Sequence, residues 1–153
     1  MIIRKTDGSY DRNAQEGEEA VVRRQHDRLN IRLEYSGGVF QVKLGSAGDV
    51  ILWKAVMSGA MSLLEYLPDG HFEARIGVSR ELFESIRVQW SDRKLERSLA
   101  VEEFEAIRAA MEEIRDLESP DEFAIVYGAS RDKLVEAVDF IRSFRAALVY
   151  SGF

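Results

Sequence analysis

The sequence predicts an α+β domain: a largely antiparallel sheet with three main helices packed on one face. Three observations carry this expectation. Apolar residues alternate with polar ones across residues 29–44, which is the period of a half-buried sheet. From Val101 the period lengthens to the three- and four-residue steps of a helix. Between them lies Val50–Leu67 (VILWKAVMSGAMSLLEYL), the most apolar run of the chain, with only Lys54 and Glu65 charged.

In chain order, Ile2–Arg4 predicts a short edge strand, and residues 6–19 (TDGSYDRNAQEGEE) a polar loop or mobile segment. Val21 and Val22 open a strand-like stretch. Leu29, Ile31, Leu33 and Tyr35 share one face of a strand, Ser36-Gly37-Gly38 makes a turn, and Phe40, Val42 and Leu44 alternate again, so a hairpin with one buried face is expected. The apolar run reads as a helix. Ser46 and Asp49 supply its capping start, Pro68-Asp69-Gly70 its stop, and Ala55, Ser58, Gly59 and Ser62 a small-residue strip for close approach of another backbone. Its interrupting polar and charged residues favour a buried core helix over a membrane span.

His71–Val78 alternates and predicts a strand. Ser79 caps a short helical turn through Phe83, Ile86, Val88 and Trp90 alternate as another strand, and Asp92-Arg93 turn into a strand over 94–99. The helix that follows carries Phe104, Ile107, Met111, Ile114 and Leu117 as its stripe, and Ser119-Pro120-Asp121 breaks it. Phe123–Tyr127 predicts a short central strand. The last helix opens at Ser130 and buries Leu134, Val138, Ile141, Phe144, the stem of Arg145 and Leu148, with Gly152 at its end. The expected order is strands-helix, strands-helix, strand-helix. A shift of 51 positions places Val50, Trp53, Val56 and Leu63 on Val101, Phe104, Ile107 and Ile114, a faint repeat that two helices packed on one sheet also produce by coincidence.

At 153 residues, 46% apolar and 31% charged, one soluble globular domain spanning 1–153 is expected. The absence of cysteine excludes disulfides, thiolate metal sites and a cysteine nucleophile. Nothing at the N-terminus has the pattern of a signal peptide, so the reading defaults to the cytoplasm. His26 and His71 are too sparse to announce a zinc site, and His71-Phe72-Glu73 lacks the cysteine half of a deaminase signature. Phosphate-loop, dinucleotide and nucleophile-elbow motifs are missing, so no catalytic residue, metal or cofactor is expected. Ser130-Arg131 at a helix start is read as a cap and a surface arginine rather than an anion site.

Charge is segregated. The net charge is −6, and residues 99–122 carry nine acidic and two basic side chains, net −7. The helical period turns Glu102, Glu105, Glu112, Glu113 and Asp116 outward. Glu112 and Asp116 form a like-charge pair four apart, and Asp116 and Glu118 sit at the helix's negative end. Acid placed where it weakens a helix points to docking on a basic protein partner, as a small inhibitor, immunity protein or adaptor does. The alternative is the other face of the sheet, expected to show Arg32, Lys43, Arg75 and Arg87 with Gln41 and Gln89 against Glu34 and Glu73. That face would bind single-stranded nucleic acid or an anion, or else pair internally, Arg32 with Glu73 and Arg75 with Glu34. Strands followed by a helix, given twice, resemble in topology the whirly and Pur-type single-strand-binding folds. A homodimer is a further arrangement, and a small enzyme or ligand-binding domain with a pocket between sheet and helices is the third reading.

Overall fold

A computed structural model describes residues 7–11, 21–90, 94–117 and 119–150. Among these the chain forms β1 (Asp7–Asp11), β2 (Val21–His26), β3 (Ile31–Ser36) and β4 (Val39–Lys43). Three helices follow: α1 (Ala47–Leu63), α2 (Asp69–Ile76) and α3 (Arg80–Val88). Then come β5 (Glu96–Ala100), α4 (Val101–Leu117), α5 (Pro120–Tyr127) and α6 (Arg131–Tyr150). The fold is α+β, as the alternating and helical periods predict.

The strands form one antiparallel sheet in the order β1-β2-β3-β4-β5. Gly37 and Gly38, at φ 61° and 76°, make the tight β3–β4 turn, a conformation that glycine adopts at no steric cost. Val22, Ile31, Leu33, Phe40, Val42 and Leu99 fill the inner face. Their neighbours Arg23, Arg32, Glu34, Gln41, Lys43 and Ser98 point the other way and are half-buried or exposed.

Helix α4 is the centre of the molecule. It packs against α1, α2, α3 and α6 as well as β4 and β5. Phe104, Ala106, Ile107, Ala110, Met111 and Ile114 are all buried, and the Phe104 ring stacks on Phe40 with centroids 4.0 Å apart. The more apolar α1 is less central, since Ile51 stands in solvent. Close packing follows residue size as well as hydrophobicity: the α4 alanines admit neighbouring helices, as does Gly59 of α1, where a Cβ would collide with the Tyr127 hydroxyl and lie 3.2 Å from Ile114 Cδ1. The expected small-residue strip thus meets α4 and α5.

Four local expectations are corrected. His71–Val78 is no strand: Phe72 and Ile76, one helical turn apart, are buried while Ala74 is exposed, and α2 ends at Gly77 with φ 101°. Ile86–Val88 belongs to α3, whose N-cap Ser79 accepts from Leu82 N–H. Phe123–Tyr127 is α5; Ser119 caps it and Pro120 occupies its first turn, so the expected breaker is a helix start. Within the expected loop 6–19, Asp7–Asp11 is a strand paired with β2. Short apolar runs satisfy both periods, and the tertiary packing chose the helix. The strands-then-helix alternation and the single-strand-binding topology therefore do not hold. The remainder of 6–19, Ile2–Arg4, Asp92-Arg93, Glu118 and Gly152 lie outside the described residues.

The 51-residue shift is wider than the sequence stripe suggested. Helices α1 and α4 have 17 residues each, and α2 and α5 have 8 each. Phe72 and Phe123 are both fully buried. Gly77 and Gly128 are both left-handed caps, donating to Glu73 and Ala124 carbonyls. The Ser79 and Ser130 hydroxyls accept from Leu82 and Lys133 N–H. Arg80 and Arg131 each donate to a carbonyl upstream of the short helix, Leu67 at 2.8 Å and Arg115 at 2.6 Å. From β4 onward the chain thus builds a strand followed by three helices twice, although the strands themselves depart from the shift.

Candidate functional site

The acidic segment begins where β5 runs directly into α4. Glu103 lies in the first turn and its Oε1 accepts from the Ala100 N–H at 2.8 Å, a carboxylate satisfying a free backbone donor at the helix's positive end. Glu102 is exposed.

The other expected site residues sit less openly than the helical period suggested. Glu105 and Glu112 are half-buried and share Arg108, with Arg108 Nε 3.1 Å from Glu105 Oε2. Glu105 also reaches Arg145 of α6. Glu113 takes a two-pronged bond from Arg75 of α2, at 3.0 Å and 2.6 Å, and its side chain is only 16% exposed. Asp116 remains open, 62% exposed, beside Arg115 at 2.9 Å. Burial works against a charged Arg108, but the hydrogen bonds and charge attraction of Glu105 and Glu112 together outweigh it and raise its pKa. The Arg115 hydrogen bond holds the Asp116 carboxyl below its ordinary range, with Arg131 and Arg142 adding attraction. The carboxylates expected to repel one another are thus interleaved with arginines, two of them from other helices, and tie α4 to α2 and α6. The expectation of one exposed acidic face holds for Glu102 and Asp116 and is corrected for Glu105, Glu112 and Glu113.

The basic set is divided as well. Arg32 and Lys43 lie on the outer sheet face, directly opposite each other on β3 and β4. Arg75 is on α2 with Glu113. Arg87 is on α3, bound to Glu84 and, at 3.3 Å, to Ser58. The expected pairs of Arg32 with Glu73 and Arg75 with Glu34 are absent for the same reason; Glu34 instead holds Arg23 at 2.6 Å. Tyr35, a possible stacking platform, belongs to the core side, its ring 4.7 Å from Phe40.

Helix α5 was missed. Ile125 and Val126, expected inside a central strand, are 83% and 62% exposed, and Leu117 at the end of α4 is 50% exposed. Asp121 and Glu122, one turn before Ile125 and Val126 on the same helix, are exposed too. The signal was present: Ser119-Pro120 is a helix start, and the 51-residue shift puts Ala124, Ile125 and Val126 on Glu73, Ala74 and Arg75, the solvent side of α2.

Between sheet and helices, Leu29, Ile31, Trp53, Val56, Leu134 and Ala137 line a cavity of about 10 Å³, room for a single water. No group of three potential metal ligands occurs among the described residues, and none of their helices is long and apolar enough to cross a membrane. Comparison with known proteins gives no match: no family model, curated protein or solved structure is significantly similar to the chain.

Proposed function

We propose that the protein is a non-catalytic interaction domain that docks on a positively charged protein surface, in the manner of an inhibitor, immunity protein or adaptor, with α5 as the centre of contact. The observation that carries this reading is the exposure of Ile125 and Val126 beside Asp121 and Glu122. Its twin α2 supplies an internal reference. Both short helices are anchored by a buried phenylalanine and closed by a left-handed glycine, yet where α2 shows Ala74 and Arg75 to solvent, α5 shows Ile125 and Val126. The fold therefore does not require apolar side chains there. An apolar centre with a charged rim is the anatomy of a protein interface, and the exposed carboxylates Asp116, Asp121 and Glu122 around it favour a basic partner and speed encounter with it.

The test is capture from the native host with the wild-type chain and with Ile125→Asp/Val126→Asp, followed by association kinetics with the recovered protein. A basic partner is expected, lost in the variant, with a wild-type association rate that falls as salt shortens the Debye length toward about 10 Å at 0.1 M. Capture of the same proteins at the same rate by the variant sinks the proposal. So does a wild-type dimer in sedimentation that Ile125→Asp dissociates, because the patch would then serve self-association.

A further inference from the structure

A second surface, independent of α5, lies at one end of the outer sheet face. Gln25, Arg32 and Lys43 stand in one row across β2, β3 and β4. Arg32 and Lys43 are direct cross-strand neighbours, an arrangement that like charges destabilise. Neither has an ion pair or side-chain hydrogen bond among the described residues, although Arg23 on the same face holds Glu34. Glu96 faces Lys43 from β5 without pairing to it. The two cations open into a cleft of about 250 Å³ lined also by Gln25, Asn30, Gly45 and Leu95, with no carboxylate in its wall.

The framework of this cleft is specified by backbone. Asn30 closes the β2–β3 turn at φ 52°, its N–H donating to the Asp27 carbonyl at 3.2 Å. Gly45, just past β4, runs against the Asn30 side chain so closely that a Cβ would lie 2.7 Å from the Asn30 Cβ. Strands and a tight turn thus hold two cations and two neutral amides around one space, and that unneutralised pair calls for a doubly charged anion.

We propose that this cleft binds a phosphate monoester. A phosphate monoester carries about −1.5 to −2 charges near neutral pH, matching Arg32 and Lys43 together. The guanidinium fork fits two of its oxygens, the ammonium a third, and the amides of Gln25 and Asn30 can donate to the remainder. The cleft exceeds a bare phosphate, and Leu95 gives the esterified group an apolar wall. A free phosphorylated small molecule and a phosphorylated side chain of another protein share this chemistry.

The experiment is a titration followed by NMR and thermal melting at low salt. The probes are inorganic phosphate, phenyl phosphate, benzoate, and a phosphoserine peptide beside its unphosphorylated form. The proteins are the wild type, Arg32→Gln, Lys43→Gln and, as a charge-matched control on exposed α6 surface, Arg142→Gln. Saturable binding of phenyl phosphate or the phosphopeptide is expected, weakened about tenfold or more in Arg32→Gln and Lys43→Gln and unchanged in Arg142→Gln. It should tighten as pH rises through about 6, where the ester becomes a dianion. Whichever of the two binds more tightly identifies the source. Without ligand, Arg32→Gln should melt at or above the wild-type temperature, since it removes a repulsion. The proposal is overturned by no saturable binding of any phosphorylated probe, by equal binding in all four proteins, or by benzoate binding as tightly as phenyl phosphate.

Discussion

Two residues test the local geometry most directly. At Gly45 a methyl group would overlap the Asn30 side chain close to its own backbone, where a rotamer change cannot relieve it. Gly45→Ala should therefore cost about 1–3 kcal/mol, the usual range for overpacking, measured by denaturant unfolding. At Glu112 the structure reverses what the like-charge spacing with Asp116 implies. Removing Glu112 relieves a repulsion across one turn, but it also takes a carboxylate from the half-buried Arg108. The second effect is larger because a partly desolvated charge loses a direct partner, so Glu112→Gln should destabilise by about 1 kcal/mol. Asp116→Asn, in the open, should change stability by less than about 0.5 kcal/mol. A Glu112→Gln variant as stable as wild type would show that Glu105 alone suffices for Arg108. At this scale the sequence was legible for caps, where Ser46, Ser79 and Ser130 each accept from an N–H three residues on. It was not legible for arginine partners, because Arg75 and Arg145 come to Glu113 and Glu105 from distant points of the chain.

Among the elements, α4 and α5 separate core from surface. Phe104 is 2% exposed and stacked on Phe40, so Phe104→Ala should cost about 3–5 kcal/mol. Ser119 caps α5 by accepting from Glu122 N–H at 3.2 Å, and Ser119→Ala should cost about 1 kcal/mol. Ile125→Asp, by contrast, should leave the melting temperature nearly unchanged. Marked destabilisation of that variant would mean that α5 is covered, and with it the docking proposal would fall. Long elements were legible because a stripe repeated over four or five turns excludes the other period: α1, α4 and α6 were expected close to where they lie, although α1 ends at Leu63, before the expected stop, and Pro68-Asp69-Gly70 open α2 instead. The two-turn helices α2 and α5 were misread because the eight residues His71–Val78 and the five residues Phe123–Tyr127 fit either period, and only Phe72 with Ile76, or Phe123 with Tyr127, packing on one side distinguishes them.

For the molecule as a whole, the acidic excess predicts a direction of pH dependence. Glu84 and Asp116 are both held below their ordinary pKa, first by hydrogen bonds from Arg87 and Arg115. A carboxyl whose folded pKa is depressed adds stability above its unfolded pKa and loses it as pH falls through the folded value. Asp116 is exposed and Glu84 half-exposed, so each loss is small and screened by salt. Melting temperature should therefore decline as pH drops below about 4, more gently at high salt. A melting temperature that rises on acidification would show that repulsion among the carboxylates outweighs these pairs. The sequence by itself determined the α+β class, the β3–β4 hairpin, the three long helices, the serine caps of α1 and α6, and the concentration of acid in residues 99–122. Each of these is written in neighbouring residues, through period, turn chemistry or local charge. Only the tertiary structure decided that α4 rather than α1 is the central helix, that α5 turns Ile125 and Val126 to solvent, and that Arg32 and Lys43 stand opposed without an acid between them. Those outcomes depend on which surfaces compete for the same interior and on which distant charges arrive beside one another, and burial and ion pairing are settled by neighbours in space.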